Sequence, residues 1–381
     1  MIPDRVDVDL LVIGGGPAGL AVAVGARRQG LRVMVADCAR PPINKACGEG
    51  LMPDGLRALR ELGFQVGSAS SFPFRGIRFV ERDIRVEASF PSGCGLGVCR
   101  TALHQAMVAT AEDAGVWLQW GTPVTGISPD GSAVLAGRRI TARWIIGADG
   151  LHSRVRSWAG LGARDGGARR FGFRRHYRLA PWADCMELYW GHNGQLYVTP
   201  VSPQEVCVVG LSRDPRWRLE HALAEFPDVQ ARLGAGGQSA PGAGAVTVLR
   251  RLPRVTRGPV ALIGDASGSV DAITGEGLCL AFRQARALVE ALEHGDLSLY
   301  EAAHRRLMWR PALMSALLLS FESRPRLRRS LLTVLAKHPA LFREMLAAHV
   351  GALSPVGFAL NGLAVGCRML AGGSILMRRS S

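Results

Sequence analysis

The sequence predicts an α/β protein with an inserted antiparallel β-sheet and a helical C-terminal region. Three observations predict this fold. An apolar strand pattern over residues 8–13 runs into the glycine turn GGGPAGL and then a helix. Strand patterns separated by turn residues fill residues 172–211, and helical periodicity dominates from Leu278 onward.

Composition supports a globular enzyme. The 381 residues are 48% hydrophobic and 20% charged, which excludes disordered and coiled-coil classes. The formal net charge is +15, and the only lysines are Lys45 and Lys337. Such a charge permits acidic partners or anionic lipid but identifies neither. Because no nucleic-acid recognition motif accompanies the charge, we expect no nucleic-acid partner.

Cysteine spacing and the N-terminal residues predict the setting of the protein. The eight cysteines form no CxxC pair and no Cys/His cluster with zinc spacing, so we expect no metal site. The first ten residues, MIPDRVDVDL, lack the apolar core of a secretory signal. These features favour a reducing cytoplasmic setting.

The C-terminal region leaves open whether the protein touches a membrane. Residues 350–367 carry no charge but contain Pro355, Asn361 and four glycines. This composition favours a buried or interface-lying helix pair over a membrane span. An alternative interpretation is a membrane-surface protein whose C-terminal helices contact anionic lipid through four arginines, Arg324, Arg326, Arg328 and Arg329.

Turn-rich breaks predict the domain organisation. They fall at residues 72–76, 160–167 and 234–244, the last reading GAGGQSAPGAG. We predict a discontinuous first domain, an inserted β-sheet domain and a C-terminal helical region. Their bounds are, in that order, residues 1–70, 96–165 and 255–300; residues 71–95 and 166–254; and residues 301–381.

The first strand and glycine turn predict a dinucleotide site. In a GxGxxG turn the first glycine permits the tight turn, the second lets the backbone approach a pyrophosphate, and the third packs helix on strand. The next strand, LRVMVA, ends at Asp37, which is placed to accept hydrogen bonds from a ribose. The predicted contacts of the turn are Gly14, Gly16, Pro17, Ala18 and Gly19.

Three further segments resemble a known superfamily. WIIGADGLHSRVR (residues 144–156) resembles the DG motif of FAD-dependent monooxygenases of the p-hydroxybenzoate hydroxylase fold, and VALIGDASGSVDAITGEG (residues 260–277) resembles their GD motif. KACGEGLMP (residues 45–53) is similar to the geranylgeranyl reductase branch of that superfamily. The resemblance implies a Rossmann-like FAD-binding domain of the p-hydroxybenzoate hydroxylase and glutathione reductase type.

The resemblance also implies cofactor contacts. Asp265 would bind the ribityl chain of FAD, and Arg100 corresponds to an arginine that reaches the cofactor. Arg154 and Arg156 would contact phosphate or a nicotinamide nucleotide, although Arg156 could equally be a solvated side chain. The remaining implied contacts are Asp149, Gly150, Gly264, Gly275 and Gly277.

Two loops are implied to face the reacting ring. Cys47 is either an active-site group or a small buried residue, and Gly48 and Glu49 would shape the loop over the isoalloxazine. The helix after Thr274, Gly275 and Glu276 would turn its positive end toward the flavin. His176 would polarise a phenol or carboxylate, or be a hydrogen-bonded core residue. Five residues of the β-sheet would line the substrate side, Trp182, Tyr189, Trp190, Tyr197 and Pro200.

The activity follows from the same resemblance. Val270 to Ile273 and Glu276 depart from the proline and glutamine usual in aromatic hydroxylases, which favours the reductase-like branch. The overall pattern nevertheless resembles bacterial flavoproteins that accompany type III polyketide synthases and are assigned as tailoring monooxygenases. The WxWxIP motif of flavin halogenases is absent.

Two enzyme functions therefore remain. The first is a FAD-dependent monooxygenase that uses O2 to hydroxylate an aromatic or polyketide-derived small molecule. The alternative is a geranylgeranyl reductase-like enzyme that reduces alkenes of an isoprenoid or lipid. No second GxGxxG turn follows a strand pattern, so a dedicated nicotinamide domain is missing. The resemblance implies that NADPH or NADH acts as a transient electron donor on the FAD domain.

Overall fold

The computed structural model describes residues 7–162, 164–353, 357, 360, 362–364, 366 and 368, with side chains at all of these except 69, 165–168 and 240. The strands are β1 Val8–Ile13, β2 Val33–Asp37, β3 Gly50–Leu51, β4 Ser71–Phe74, β5 Gly76–Glu81, β6 Ile84–Ser89, β7 Gly95–Val98, β8 Trp117–Trp120, β9 Val124–Ile127, β10 Ser132–Leu135, β11 Arg138–Gly147, β12 Arg164–Arg178, β13 Cys185–Trp190, β14 Gly194–Ser202, β15 Glu205–Ser212, β16 Gly237–Arg251, β17 Thr256–Arg257 and β18 Val260–Leu262.

Helices connect and cover these strands. They are α1 Pro17–Arg28, α2 Pro53–Glu61, α3 Arg100–Asp113, α4 Arg154–Trp158, α5 Leu219–Glu225, α6 Pro227–Gly234, α7 Gly277–Glu293, α8 Leu297–Glu322, α9 Pro325–Lys337 and α10 Pro339–His349. β2 ends at Asp37, as the sequence predicts, and α7 begins at Gly277, one residue before the predicted start of the helical region at Leu278.

A parallel sheet collects the predicted motifs at one edge. Its strand order is β17-β18-β11-β1-β2-β8, and β18, β11, β1, β2 and β8 run parallel. The central strand β1 and the short strand β18 are almost wholly buried. Since parallel strands end at the same edge, the loops after Ile13, Asp37, Gly147 and Leu262 lie side by side. This arrangement explains why motifs far apart in the sequence meet.

A second sheet has the order β16-β12-β15-β14-β13-β5-β6 and is antiparallel except for the parallel pair β13 and β5. One face belongs to the main core, and the other packs against α5 and α6 around Trp217 and Leu219. Strands β3, β7 and β4 form a small third sheet. The α/β architecture with an inserted, mainly antiparallel sheet and C-terminal helices is confirmed. The exact domain boundaries stay a prediction.

One predicted break is wrong. The segment GAGGQSAPGAG, interpreted as a turn-rich boundary, ends α6 and then enters β16, a strand of 15 residues that pairs with β12 along almost its whole length. Gly172 and Gly244 lie on these paired strands. The partner strand supplies the hydrogen bonds and packing that the local sequence lacks, so tertiary context overrides the turn composition.

The structure also corrects the interpretation of the C-terminal arginines. Arg328 is buried and donates two hydrogen bonds to Glu81, and Arg329 pairs with Asp83. These side chains hold α9 against the end of β5 and the turn that leads into β6, so the four arginines do not act as one lipid-facing cluster. Among the described residues, no helix combines the length and apolar character needed to cross a membrane. Pro355 and Asn361 lie outside the described residues.

Candidate active site

The turn between β1 and α1 is built for close approach of a ligand. Gly14 has φ +113°, and a Cβ there would meet the Ala148 carbonyl oxygen at 2.3 Å. A Cβ on Gly19 would lie 1.9 Å from the Gly14 oxygen, whereas one on Gly16 would meet nothing within 4 Å. Gly14 and Gly19 are thus required by packing, and Gly16 faces open space. No side chain caps the start of α1, so its first N–H groups are available to an anion.

Asp37 fixes the shape of this turn. Its Oδ2 accepts a hydrogen bond from the Gly15 N–H at 2.6 Å, and its Oδ1 accepts one from Ala39 N–H at 2.7 Å. Each carboxylate oxygen can accept more than one hydrogen bond, so the group can still receive a ligand hydroxyl. Its predicted ribose contact stays a prediction.

The turn opens into a cleft of about 740 Å³ at the carboxyl edge of the parallel sheet. This volume lies in the range of small-molecule sites. Most predicted cofactor contacts line the cleft: Gly14, Gly16, Pro17, Ala18, Asp37, Arg100, Asp149, Gly150, Gly264, Asp265 and Gly277. Gly19 lies instead in the packed turn, and Gly275 lines a neighbouring pocket.

Arg100 is a buried cation with a free side chain. It begins α3, and its backbone N–H donates to Glu49 Oε1 at 2.9 Å. The side chain is only 8% exposed, and its Nε has no partner among the described residues. Burial lowers the guanidinium pKa, but arginine stays charged in proteins. A buried cation without an ion pair is costly, so this site favours an anionic ligand.

The segment after β11 contains one residue that fits the prediction and one that does not. Asp149 Oδ2 accepts from the N–H groups of Arg154 and Val155, while its Oδ1 has no described partner. Arg154 lines the cleft. Arg156 is buried and donates to the carbonyl oxygens of Leu151 and Ala266. It therefore ties two loops together, and its burial excludes the solvated interpretation, while its contact with phosphate or a nicotinamide nucleotide stays a prediction.

An ion pair crosses the cleft. Lys45 Nζ lies 2.7 Å from Asp265 Oδ2, and both side chains are about half exposed. Gly264, with φ +60°, donates its N–H to Gln284 Oε1 at 2.9 Å. The loop after β18 is thereby held on α7 while Asp265 faces the cleft. The sequence motif contains Lys45, but nothing in it pointed to this pairing.

Glu49 anchors the loop that carries Cys47. It has φ +60°, its side chain is fully buried, and its carboxylate lies 2.9 Å from Arg174 Nη1 and 2.6 Å from His176 Nε2. The Arg100 N–H completes this set. Of the two interpretations of His176, the structure supports the hydrogen-bonded core residue. Glu49 and Gly48 hold the loop, with Gly48 lining the pocket beside the cleft.

Cys47 lies beside the cleft, and its side chain is a protonated thiol. It lines both the cleft and the neighbouring pocket. Burial raises the pKa of the thiol, and the opposing effect of the Arg100 charge is smaller. Because the thiolate is the nucleophilic form, Cys47 is weakly reactive in this environment. Its part in the chemistry stays a prediction.

Three buried side chains beside this loop offer metal-ligand atoms, Glu49, His176 and Cys207, all within 4.8 Å of one another. Arg174 already pairs with Glu49, and burial raises the pKa of Cys207 well above its ordinary value. A cation would have to displace the guanidinium and take up a neutral thiol. The arrangement favours a hydrogen-bonded ion pair over a metal site.

The turn before α7 places a carboxyl group beside this pocket. Gly275 has φ +66°, Glu276 is the first residue before the helix, and Thr274, Gly275 and Glu276 line the neighbouring pocket. Glu276 is buried, and its Oε1 has no described partner while its Oε2 lies 3.3 Å from Arg283 Nη2. Burial raises the pKa of Glu276 to about 7. This carboxyl group can hold or release a proton near neutral pH.

Sequence reasoning missed the residue that positions this turn. Arg170 is 1% exposed and pairs with Asp271 at 2.5 Å and with Glu322 of α8. Asp271 in turn accepts from the Ile273 N–H, and the Tyr197 hydroxyl donates to the Ile273 carbonyl at 2.8 Å. The inserted sheet and α8 therefore both hold the turn. No local pattern distinguishes Arg170 from the 43 other arginines.

An apolar cavity of about 60 Å³ lies on the other side of this turn. Of the five sheet residues predicted to line the substrate side, only Tyr197 lines it. Trp182 and Tyr189 pack in the core under α5 and α6, and Trp190 packs against Phe79 at its edge. Alternation along β13 accounts for Tyr189, which faces away from the cavity that Leu188 lines, whereas Trp182 lies before that strand. The cavity lining is Ile77, Phe79, Met186, Leu188, Tyr197, Ile273, Thr274, Met314, Leu318, Phe342, Met345, Leu346 and His349.

Comparison with known proteins shows which cofactor family the chain belongs to. Residues 7–217, more than half of the chain, match the family model described as the FAD binding domain. The chain belongs to this FAD-binding family. The protein is therefore an enzyme of the FAD-dependent oxidoreductases, and the predicted flavoprotein class is confirmed.

Curated relatives of this flavoprotein fall into two groups of activity. A menaquinone reductase of Mycobacterium tuberculosis is 29% identical over 76% of this chain and 78% of its own length. A probable 2-heptyl-3-hydroxy-4(1H)-quinolone synthase of Rhodococcus erythropolis is 29% identical over 82% of this chain and 87% of its own length. A digeranylgeranylglycerophospholipid reductase of Thermoplasma acidophilum is 27% identical over 76% of this chain and 80% of its own length.

A solved structure supports the fold. A flavoprotein/dehydrogenase from Cytophaga hutchinsonii superposes with a TM-score of 0.78 at 20% identity, covering 90% of this chain and 93% of that one. At this identity the likeness concerns the fold alone.

The residues of the cleft fit FAD. The free N–H groups at α1 and the unpaired Arg100 suit a pyrophosphate, and Asp37 and Asp265 suit ribose and ribityl hydroxyls. A side chain at Gly16 would fill open space on the cleft side. The orphaned Nε of Arg100 is the observation that most directly calls for an anionic group.

Proposed function

We propose that this flavoprotein is a monooxygenase that hydroxylates an aromatic or polyketide-derived small molecule, with NADPH or NADH as transient electron donor. The observation that carries the proposal is the position of Thr274, which lines both the apolar cavity and the pocket beside the FAD cleft. A lipophilic molecule in the cavity would thus lie next to the cofactor end of the cleft. The quinolone synthase relative supports this choice.

The reaction balances with one oxygen atom in each product. A C–H bond of the substrate becomes C–OH, the second oxygen atom of O2 leaves as water, and the nicotinamide supplies two electrons. Bound FAD supplies the redox chemistry that passes these electrons to O2. The protein binds FAD, orients the substrate beside it and keeps water out of the site.

Individual residues have defined tasks in this proposal. Gly16 and Arg100 hold the pyrophosphate region, and Asp265 accepts from hydroxyl groups of the cofactor. The N-terminus of α7 stabilises negative charge beside it. Glu276 holds a proton on its carboxyl group near neutral pH, because burial disfavours the ionised form.

The second candidate is reduction of alkenes in an isoprenoid or other lipid. The Thermoplasma relative favours it, and so does the cavity wall, in which Met186, Met314 and Met345 provide adaptable apolar surface for a chain. Oxygen separates the two candidates, since alkene reduction consumes none.

The test uses the purified FAD-loaded protein with NADPH, ¹⁸O2 and a panel of phenols and prenylated lipids. The monooxygenase proposal predicts one ¹⁸O atom per product molecule and no turnover without oxygen. Saturated product that forms anaerobically, without label, would assign the enzyme to the reductase branch instead.

A further inference from the structure

The apolar cavity contains three polar side chains, Tyr197, Thr274 and His349. Two of them already make hydrogen bonds within the protein. The Tyr197 hydroxyl donates to the Ile273 carbonyl at 2.8 Å, and the Thr274 hydroxyl donates to the Asp271 carbonyl at 3.2 Å. Both hydroxyl groups therefore serve the turn before α7.

His349 is different. It ends α10, is 8% exposed, and lines the same cavity. No residue among those described donates a hydrogen bond to its ring or accepts one from it. The ring nitrogens of His349 are not among the side-chain atoms that are both sealed from water and without a partner. They therefore reach accessible space, and because His349 lines the cavity, a molecule in the cavity can become its hydrogen-bond partner.

The surroundings of His349 determine its charge. Arg283, Arg310 and Asp54 are the charged groups that act on it, and Arg283 already pairs with Asp54 and Glu276. Burial lowers the pKa of His349 to about 4, so the ring is neutral at pH 7. A neutral imidazole offers one N–H donor and one nitrogen acceptor.

We propose that His349 hydrogen-bonds the single neutral oxygen, a phenol hydroxyl or a ring carbonyl, of a substrate whose remaining surface is apolar. This inference rests on the proposed function, because it assigns the substrate class of the same site. The proposal thereby puts a specificity-determining residue at the end of α10.

The same geometry disfavours anionic substrates. A carboxylate or phosphate in this cavity would lose its hydration against side chains such as Phe79, Leu188 and Met314, with no cation in the lining to replace the water. A neutral phenol loses much less and regains a hydrogen bond from His349. At about 60 Å³ the cavity is smaller than the roughly 150 Å³ that holds a benzene ring, so binding of a ring requires Met345 and the other methionines of the wall to repack and enlarge it.

The test compares three probes of matched shape, 4-butylphenol, butylbenzene and 4-butylbenzoate, by calorimetry on the purified FAD-loaded protein. We expect the wild type to bind the phenol about five- to tenfold more tightly than the arene, as one neutral hydrogen bond provides. The benzoate should bind more weakly than either. In H349L the preference for the phenol should vanish, and in H349Q it should partly remain.

M345L is the matched control, because it changes the same helix and cavity wall without touching a hydrogen bond. It should retain the phenol preference. A readout in the wild type removes dependence on variant folding: the ring-nitrogen NMR resonances of His349 should shift with 4-butylphenol and stay in place with butylbenzene. An undiminished phenol preference in H349L, unshifted resonances, or tighter binding of the benzoate would overturn the inference.

Calorimetry and NMR need no turnover, so failure of the two proposals can be told apart. A protein that shows the His349-dependent phenol preference but incorporates no ¹⁸O would contradict the monooxygenase proposal alone. A protein that incorporates ¹⁸O with no effect of H349L on the preference would contradict the His349 inference alone.

Discussion

Lys45 and Asp265 meet across the cofactor cleft, 2.7 Å apart, although 219 residues separate them in the chain. Their pairing joins the loop that carries Cys47 to the loop that follows β18. FAD hydroxyl groups would compete with the Lys45 ammonium for the same carboxylate. The half-exposed position of the pair makes that exchange inexpensive, since such ion pairs contribute about 0–1 kcal/mol.

Replacement of Asp265 by asparagine should weaken FAD binding. The loss of charge-assisted hydrogen bonds, each about 1.5–3 kcal/mol, predicts a Kd at least about tenfold higher. Quenching of flavin fluorescence on titration of the apoprotein measures it. The control is D184N, which removes an exposed partner of Arg75 outside the cleft and should leave the Kd unchanged. Equal affinities for D265N and wild type would remove Asp265 from the cofactor site.

Two buried arginines should respond in opposite ways to the same substitution. R100M removes an unpaired buried charge, so the apoprotein should melt at the same or a higher temperature while FAD affinity falls about tenfold or more. R156M breaks hydrogen bonds to two carbonyl oxygens, so its melting temperature should fall. Thermal denaturation with and without FAD measures both effects. A destabilised R100M apoprotein would mean that Arg100 has a structural partner.

Glu276 should make folding stability depend on pH. Its folded pKa of about 7 exceeds the ordinary 4.5, so the folded state binds the extra proton, and stability falls as pH rises from about 4.5 to 7. The pKa values of His304 and His349 are lowered to about 4, so these residues act in the other direction: they reduce the stability of the fold as pH falls from about 6.5 to 4. The difference between wild type and E276Q therefore isolates Glu276.

Relative to E276Q, the wild type should lose about 3 kcal/mol of unfolding free energy between pH 4.5 and pH 8. Urea unfolding of the apoproteins at four pH values measures it. Parallel pH profiles of the two proteins would show that the buried carboxyl group titrates as it does in water.

Arg170 should be far more important for stability than its neighbour Arg213. Both pair with Glu322, but Arg170 is buried whereas Arg213 is 49% exposed. R170M leaves Asp271 and Glu322 without their buried partner and should cost about 3–5 kcal/mol of unfolding free energy. R213M should cost less than about 1 kcal/mol. Chemical denaturation compares them, and similar losses would contradict the role of Arg170 as the buried link.

Cys47 should react slowly with iodoacetamide. Burial raises the pKa of its thiol, whereas Cys38 and Cys94 are exposed. Peptide mapping by mass spectrometry after brief alkylation of the folded protein at pH 7.5 should show Cys38 and Cys94 modified first. Preferential modification of Cys47 would indicate an activated thiolate and strengthen its catalytic interpretation.

The parallel sheet and its cleft were predictable because their determinants are local. The strand before Gly14, the glycine turn and the strand ending at Asp37 each specify backbone geometry within a few residues. Parallel pairing then brings four loops to one edge, where Asp149 and Asp265, which the family resemblance assigned to the cofactor, line the cleft together with Arg100 from the start of α3.

The substrate side was less predictable because its determinants are nonlocal. Arg170 and Arg156 gain their roles from partners about 100–150 residues away. His349 gains its role from a cavity wall built by distant strands. Along β13, sequence reveals alternation but not which face meets α5 and α6, where Tyr189 packs; Trp182 lies before the strand and packs on the same side.

The walls of the apolar cavity begin with Ile77 on β5 and end with His349 on α10, and Phe342 packs on Phe79 with ring centroids 4.9 Å apart. During synthesis, the sheet therefore leaves the ribosome long before the helix that covers it. Until α10 emerges, Phe79 and Leu188 lack part of their apolar cover, although the FAD cleft already has its residues. The nascent chain can thus acquire its cofactor cleft before its apolar cavity is closed.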